Sequence, residues 1–218
     1  MRYHSYIFFD LARDLTPTDK KKLQSNTKSF LSCFRKHGEV LVEAYGMLAM
    51  RSDMYFMLHL GANAPEEVQA LVRDILHTPL GRHLRISYTL LGTEGSSQYN
   101  ATHAPKDAES SVPHKYLIVY PFTKTTEWHL LPFTDRKKIM QAHVDVGLVY
   151  SETISQMLLY SYGIDDHEFI VSYMTDSIPD FQKLVMDMRA TESRKATKND
   201  LPIFMCIHMP VEEALLLL

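Results

Sequence analysis

Apolar residues return at helical spacing twice along the chain, each time just after a strand-like apolar run. The segment DMYFMLHLGANAPEEVQALVRDI, from Asp53, aligns with DHEFIVSYMTDSIPDFQKLVMDM, from Asp166, at an offset of 113 residues, with Phe56 on Phe169. Val68, Leu71, Val72 and Ile75 fall on Phe181, Leu184, Val185 and Met188. Both quartets are spaced i, i+3, i+4, i+7, which lines one face of an α-helix. Asn63 and Ser177 are the expected N-caps, followed by Pro65 and Pro179 in the first turn and by Glu66 and Asp180 three residues after each cap. The caps stand 114 apart, which implies one residue inserted between strand and helix.

The remaining pattern completes two similar halves. Residues 3–10 (YHSYIFFD), 39–47, 53–60, 84–91, 115–121 (KYLIVYP), 153–162, 167–174 and 202–208 read as strands. Thr16-Pro17-Thr18-Asp19 reads as a helix start, with Leu23, Thr27, Phe30, Leu31 and Phe34 on one face. A helix starting near Thr134 turns Ile139, Met140, His143, Val144 and Gly147 inward. Each half is then β-α-β-β-α-β, a ferredoxin-like unit. The expected class is α+β: two such repeats with antiparallel sheets packed by helices, in the manner of dimeric α/β-barrels. Residues 1–92 form the first repeat, 93–114 a linker and 115–218 the second. Two such sheets can pack or close on each other, leaving a cavity between sheet and helices for a ligand. The terminal VEEALLLL reads either as a docked last turn or as a leftover end.

Composition narrows the partners. Of 218 residues 45% are apolar, enough for a real core, and the formal net charge of −3 gives no basic excess for nucleic acid or an anionic membrane. No apolar run approaches the length of a membrane span, and the first residues have too short an apolar stretch for a signal peptide. Cys33 and Cys206 are far apart and outside any CxxC pair, which fits reduced thiols in a cytoplasmic protein.

Phosphate loops, dinucleotide fingerprints, zinc-protease helices, hydrolase elbows and calcium loops are all missing from the sequence. The chemistry gathers instead in YPFTKTTEWHLLPF, residues 120–133, and in His143 ten residues beyond. His143 lies on the apolar face of its helix. It reads as a core histidine bonded to a carbonyl or as an axial ligand to haem iron, with Glu192 available to orient it. Gly147, one turn later, costs a helix roughly 1 kcal/mol relative to alanine and suggests that something large approaches there. Tyr120 ends a strand and reads as a half-buried packing residue or as a redox phenol. Lys124 is a solvated loop lysine or a charge for a ligand carboxylate. Trp128 is a core residue or a flat partner for a macrocycle. His103, in the linker, is exposed or folds over the cavity as a general base. Gln156 is polar in an apolar strand and needs a partner if it points inward. The other histidines show no metal-ligand spacing, with His129 left open because it adjoins Trp128.

The string YPFTK…EWHLLPF…RKKIMQAH…Q…GIDDHEF…LVMDMRATE resembles the chlorite dismutase-like superfamily, and within it the coproheme decarboxylases of haem biosynthesis. The match runs in good register from about Tyr116 to Met209 and continues in the N-terminal half as fold and pattern. The resemblance implies two ferredoxin-like repeats assembled as a homopentamer, with a porphyrin in the C-terminal half. It places His143 at the proximal iron ligand and Glu192 at the acidic residue that orients it. Tyr120 falls on the tyrosine oxidised during decarboxylation, Lys124 near a propionate, Trp128 beside the macrocycle and Gln156 at the distal polar position. That position is arginine in true chlorite dismutases, so glutamine argues against chlorite. His103 stands seventeen residues before Tyr120, the spacing of a distal histidine base in one branch. Phe122, Lys124 and Arg194 depart from common family residues, which puts the propionate contacts in question. The implied reaction is the oxidation of coproheme propionates to vinyls by hydrogen peroxide, giving haem b. The competing readings are a haem-binding protein with weak peroxidase or carrier activity, and a member of the fold that binds no haem.

Overall fold

The computed structural model describes residues 1–12, 26–95, 99 and 113–218. The expected helix start at Thr16–Asp19, Leu23 and most of the 93–114 linker lie outside them. In chain order the elements are β1 (Tyr3–Leu11), α1 (Thr27–Lys36), β2 (Leu41–Gly46), β3 (Phe56–Ala62), α2 (Pro65–His77), β4 (Leu84–Glu94), β5 (Tyr116–Lys124), α3 (Thr126–Leu130), α4 (Phe133–Val149), β6 (Ile154–Tyr160), β7 (Phe169–Thr175), α5 (Ile178–Arg189), β8 (Thr197–Asn199), β9 (Phe204–His208) and α6 (Val211–Leu216). Short 3₁₀ turns precede β4 and β8. The fold is α+β with antiparallel pairing throughout the named strand pairs, as the doubled pattern predicts. Among the described residues no helix is long and apolar enough to cross a membrane.

The chain forms two compact units, Met1–Thr93 with Met205–Leu218, and Glu94–Phe204. In the first unit β1 lies between β3 and β4, and β2 flanks β3 on the other side. Alternation sends Ile7, Phe9 and Leu11 of β1 and Phe56, Leu58 and Leu60 of β3 into one core with Phe30 of α1 and Val68, Leu71 and Ile75 of α2. The expected boundary at the end of the chain is corrected here. β9 pairs with β2 through Tyr45↔His208 and Gly46↔Ile207, and α6 buries Ala214 and Leu215 in that same core. The apolar tail is thus a docked turn, and the chain's end returns to the first repeat. A Cβ at Gly46 would run into the side-chain ends of Met209 and Leu217, which would then have to shift, so the glycine makes room for the tail on β2.

The cap expectation also needs correction. The residue ahead of α2 is Ala64, not Asn63, and its lack of a side-chain acceptor is made good from inside the helix. Glu67 reaches back and accepts the backbone N–H groups of Asn63 and Ala64 at 2.9 and 3.3 Å. Ser177 does cap α5, accepting from the Asp180 N–H at 3.3 Å. Ala64 and Ser177 share the offset of the strands, so no insertion separates strand and helix.

The opposite face of the first unit's sheet carries a buried polar chain. Ionised Glu43 can only accept, so His59 donates Nδ1–H to it at 2.9 Å and Tyr45 donates its O–H at 3.1 Å. His59 Nε2 lies 2.9 Å from His4 Nδ1, and Tyr6 stacks on the His59 ring. Burial pushes the Glu43 carboxyl up, but the bonds from His59 and Tyr45 outweigh it and hold it below its ordinary value. A carboxyl depressed on folding stabilises the native state above its unfolded pKa, and that contribution is lost as pH falls through the folded value. Glu43→Ala is therefore expected to cost about 1–3 kcal/mol near neutral pH by stranding two donors. It should also flatten the loss of stability below about pH 4, which urea melts across the acid range would measure.

Candidate functional site

The second unit sets a helical layer on one sheet face. β7 lies between β5 and β6, with Tyr120↔Val171, Ile118↔Tyr173 and Gln156↔Tyr173 in register. Paired residues share a face, as do residues two apart on one strand, so Tyr120, Tyr173 and Gln156 all project to the same side. On that side Val171, Tyr173, Leu184 and Ile154 form a core on which Tyr120, Val146, Tyr150, Phe181 and Met188 pack. Val146 is on α4 and Tyr150 caps it, so α4 presents its 143–146–147–150 edge to the sheet's chemical face. Tyr150 also donates its O–H to Asp187, tying α4 to α5.

His143 sits on this inner edge. Burial pulls its imidazole down to about 4, with the charge of Lys124 adding to the effect, so the ring is neutral near pH 7. Its Nδ1 lies 3.0 Å from Ser193 Oγ. The expectation that Glu192 orients it does not match this geometry. Glu192 opens a 3₁₀ turn, its side chain is 69% exposed, and it accepts from Lys195 Nζ at 2.9 and 3.0 Å. The next residue in so tight a turn faces another way, which puts Ser193 inside, 4% exposed. The space expected beside Gly147 is filled from α5: a Cβ there would stand 3.3 Å from Met188 Cε. The glycine serves close helix packing.

Tyr120 lies partly buried midway along β5, not at its end, with its ring stacked on Tyr173 at 6.2 Å between centroids. Burial raises its phenol, while a hydrogen bond with Tyr173 opposes the rise. Tyr173 is fully enclosed, against Phe181 and 3.9 Å from Met188 Sδ, and burial lifts its own phenol well above the ordinary value. Tyr173→Phe keeps the ring and removes the partner hydroxyl. The Tyr120 phenol is then expected to titrate higher, read by tyrosine NMR with Tyr120→Phe identifying the signal.

Lys124 ends β5, with its Nζ 4.9 Å from the centroid of Trp128. Burial pulls the ammonium down to about 8; Glu168 opposes this and Arg194 adds to it. Trp128 is buried because Thr125 caps the short α3, its side chain accepting from the Trp128 N–H at 3.3 Å. His129 turns away to Glu168, at 2.9 Å, and Glu168 also accepts the Lys124 N–H at 2.8 Å. Arg194 donates to Asp200 at 2.7 Å and Arg189 lies 3.6 Å from the same carboxylate, and all three charges act on Tyr120. Gln156 is solvent-exposed on β6. His103 lies outside the described residues.

Tyr120, Lys124, Trp128, His143 and Gln156 thus share one unit, with the first and last on a single sheet face and His143 on the helix packed over it. Sequence reading passed over Tyr173, Ser193 and the Arg189–Arg194–Asp200 group. Tyr173 carried a signal, since FIVSYMT alternates and places Phe169, Val171 and Tyr173 together. Ser193 carried none, because the direction of a side chain in a 3₁₀ turn is not written in spacing.

A porphyrin can be tested against these groups. Among the described residues no three His, Cys, Asp or Glu side chains gather to hold a metal. A lone imidazole holds iron only where a macrocycle supplies the other nitrogens. With Nδ1 engaged and the ring neutral, Nε2 remains as donor. Lys124, Arg189 and Arg194 supply the positive charge that a porphyrin with several carboxylates needs. The residues fit the group.

Comparison with known proteins gives the family of the chain. The family model described as chlorite dismutase matches residues 20–209. A coproheme decarboxylase from Mycolicibacterium smegmatis is 25% identical over 213 residues, covering 97% of this chain and 92% of that protein. A variant of the chlorite dismutase of Candidatus Nitrospira defluvii superposes with a TM-score of 0.86 at 25% identity, over 98% of this chain and 93% of that one. A putative chlorite dismutase gives 0.85 at 22% identity, over 98% and 97%, a likeness of fold. With the family model spanning most of its length and the same fold in these relatives, the chain belongs to the chlorite dismutase family.

Proposed function

We propose that this chain is a coproheme decarboxylase, converting propionates of iron coproporphyrin to vinyls with hydrogen peroxide and yielding haem b. The observation that carries the reading is the placing of Tyr120 and Gln156 on the sheet face over which α4 packs with His143. The similarity to the Mycolicibacterium smegmatis enzyme supports it. Glutamine at Gln156, where the resemblance implies an arginine in chlorite dismutases, argues against chlorite.

Bound coproheme would supply redox-active iron and the propionates that lose CO₂. Each propionic acid and one peroxide become a vinyl, one CO₂ and two waters. His143 would hold the iron through Nε2. Tyr120 would be the hydrogen-atom carrier: its O–H hydrogen would go to the oxygen left by peroxide, which departs as water, and be restored from a propionate C–H. Tyr173 donates to the Tyr120 oxygen and keeps the phenol aimed. Gln156 would hydrogen-bond the oxidant, and the resemblance gives His103 the part of a base in the same step. Lys124 and Arg194 would bind propionates, and Trp128 would back the macrocycle while steadying Lys124. Glu192, facing Lys195, contributes at the margin. The homopentamer implied by the resemblance and the cytoplasmic location that fits two free thiols belong to the same reading.

Trapping of CO₂ after peroxide is added to the coproheme-loaded protein tests the proposal. About two CO₂ per porphyrin is the expected yield, from the two propionates converted. A peroxide-consuming sample that releases none is a haem-binding protein and not a decarboxylase.

A further inference from the structure

Three hydrogen bonds in series fix where the proton of His143 sits. Thr191 Oγ1 donates to the Met188 carbonyl at 2.7 Å, Ser193 Oγ lies 2.8 Å from Thr191 Oγ1, and His143 Nδ1 lies 3.0 Å from Ser193 Oγ. A carbonyl has no proton to offer, so the single Thr191 O–H is spent on it. The Thr191 oxygen must then receive the Ser193 O–H. That leaves the Ser193 oxygen only lone pairs toward the imidazole, so His143 must donate. We infer that a two-hydroxyl relay, Ser193 and Thr191, holds His143 as its Nδ1–H tautomer and thereby leaves the Nε2 lone pair free for a ligand. The use of that lone pair on iron rests on the decarboxylase reading; the direction of the bonds does not.

The anchor of the relay matters. Met188 is in the last turn of α5, and its carbonyl also receives the Thr191 backbone N–H at 3.1 Å. Carbonyls there carry the negative end of the helix dipole, which strengthens them as acceptors. The relay passes that polarity to Nδ1–H through neutral groups. Hydrogen bonds to neutral acceptors are roughly half as strong as those to a carboxylate, so the imidazole keeps more of its neutral character. A carboxylate stands next door in Glu192, but Lys195 holds it in solvent. The enclosure of Ser193 keeps out water that would offer the ring other partners. Ser193 and Thr191 are positioning residues, since neither reaches the ligand side of the ring.

Nitrogen NMR of histidine-labelled, porphyrin-free protein tests this directly, with His143→Gln identifying the signal. Wild type should show His143 protonated at Nδ1. Thr191→Val keeps the shape but removes the acceptor for Ser193, freeing its O–H to donate to Nδ1 and populating the Nε2–H tautomer. Thr191→Ser restores the hydroxyl and should return the wild-type signal. Coproheme binding should weaken by about 10- to 100-fold in Thr191→Val and Ser193→Ala, the usual loss when the group behind a ligating histidine is removed. Wild-type protein protonated at Nε2, or a tautomer unmoved by Thr191→Val, overturns the relay. If wild type shows the Nδ1–H signal yet takes up no coproheme, the relay stands and the iron-ligand reading falls.

Discussion

Tyr120→Phe is expected to bind coproheme as wild type does, to consume peroxide, and to release almost no CO₂. The ring survives the change, so its stacking on Tyr173 and its place in the sheet-face core are kept. Only the hydroxyl goes, and with it the hydrogen atom that Tyr120 is proposed to exchange with a propionate. A positioned proton-transferring group is worth about 10²–10⁴-fold in rate, so CO₂ release should fall by at least the lower figure while porphyrin affinity barely moves. A variant that still releases CO₂ at the wild-type rate would remove Tyr120 from the chemistry. Loss of porphyrin binding in the same variant would instead make the phenol a binding group.

The second large effect is expected at His143. His143→Ala removes the one imidazole on the inner edge of α4 and strands the Ser193–Thr191 hydroxyls. Coproheme affinity should drop on the order of a hundredfold, near 3 kcal/mol at 1.4 kcal/mol per decade, with loss of the absorbance band of a histidine-ligated porphyrin. Adding free imidazole should restore part of that band, because the cavity left by the side chain can admit the ring. Unaltered uptake and an unaltered spectrum would mean that the iron is held elsewhere. The fold itself should tolerate the change, because α4 has no fully buried residue and the second unit's core rests on Val171, Tyr173, Leu184 and Ile154.

Much of the architecture could be read from spacing, because the forces that set it are periodic. The i, i+3, i+4, i+7 quartets around Leu71 and Leu184 became α2 and α5, and the apolar runs from Phe56 and Phe169 became paired strands. What escaped was settled by contacts between segments far apart in sequence. The docking of VEEALLLL depends on the room that Gly46 leaves and on the pairing of Tyr45 with His208. The start of α2 shifted from Asn63 to Ala64 because Glu67 satisfies the free N–H groups from inside the helix, a substitute for a side-chain cap. Short α3 is too brief to show a period, yet it is what buries Trp128.

The site divided along the same line. Tyr120, Lys124, Trp128 and His143 stood out as chemical residues in or near one segment, and the structure gathers them in one unit. The partner of His143 could not be read, since Glu192 and Ser193 are adjacent and only the turn decides which faces inward. Tyr173 looked like any core aromatic until its register beside Ile118 brought it to Tyr120. The cationic group around Asp200 comes from the end of α5 and the segment after it, which no sequence spacing ties to Lys124.

Stepwise peroxide titration of the wild-type protein loaded with coproheme, followed by the mass of the extracted porphyrin, tests the decarboxylase account most directly. The account requires the starting mass to give way first to a product lacking one carboxyl group and then to haem b, with peroxide consumed in proportion to the carboxyl groups lost. A porphyrin that is recovered with all four propionates, or that is simply bleached, would contradict it.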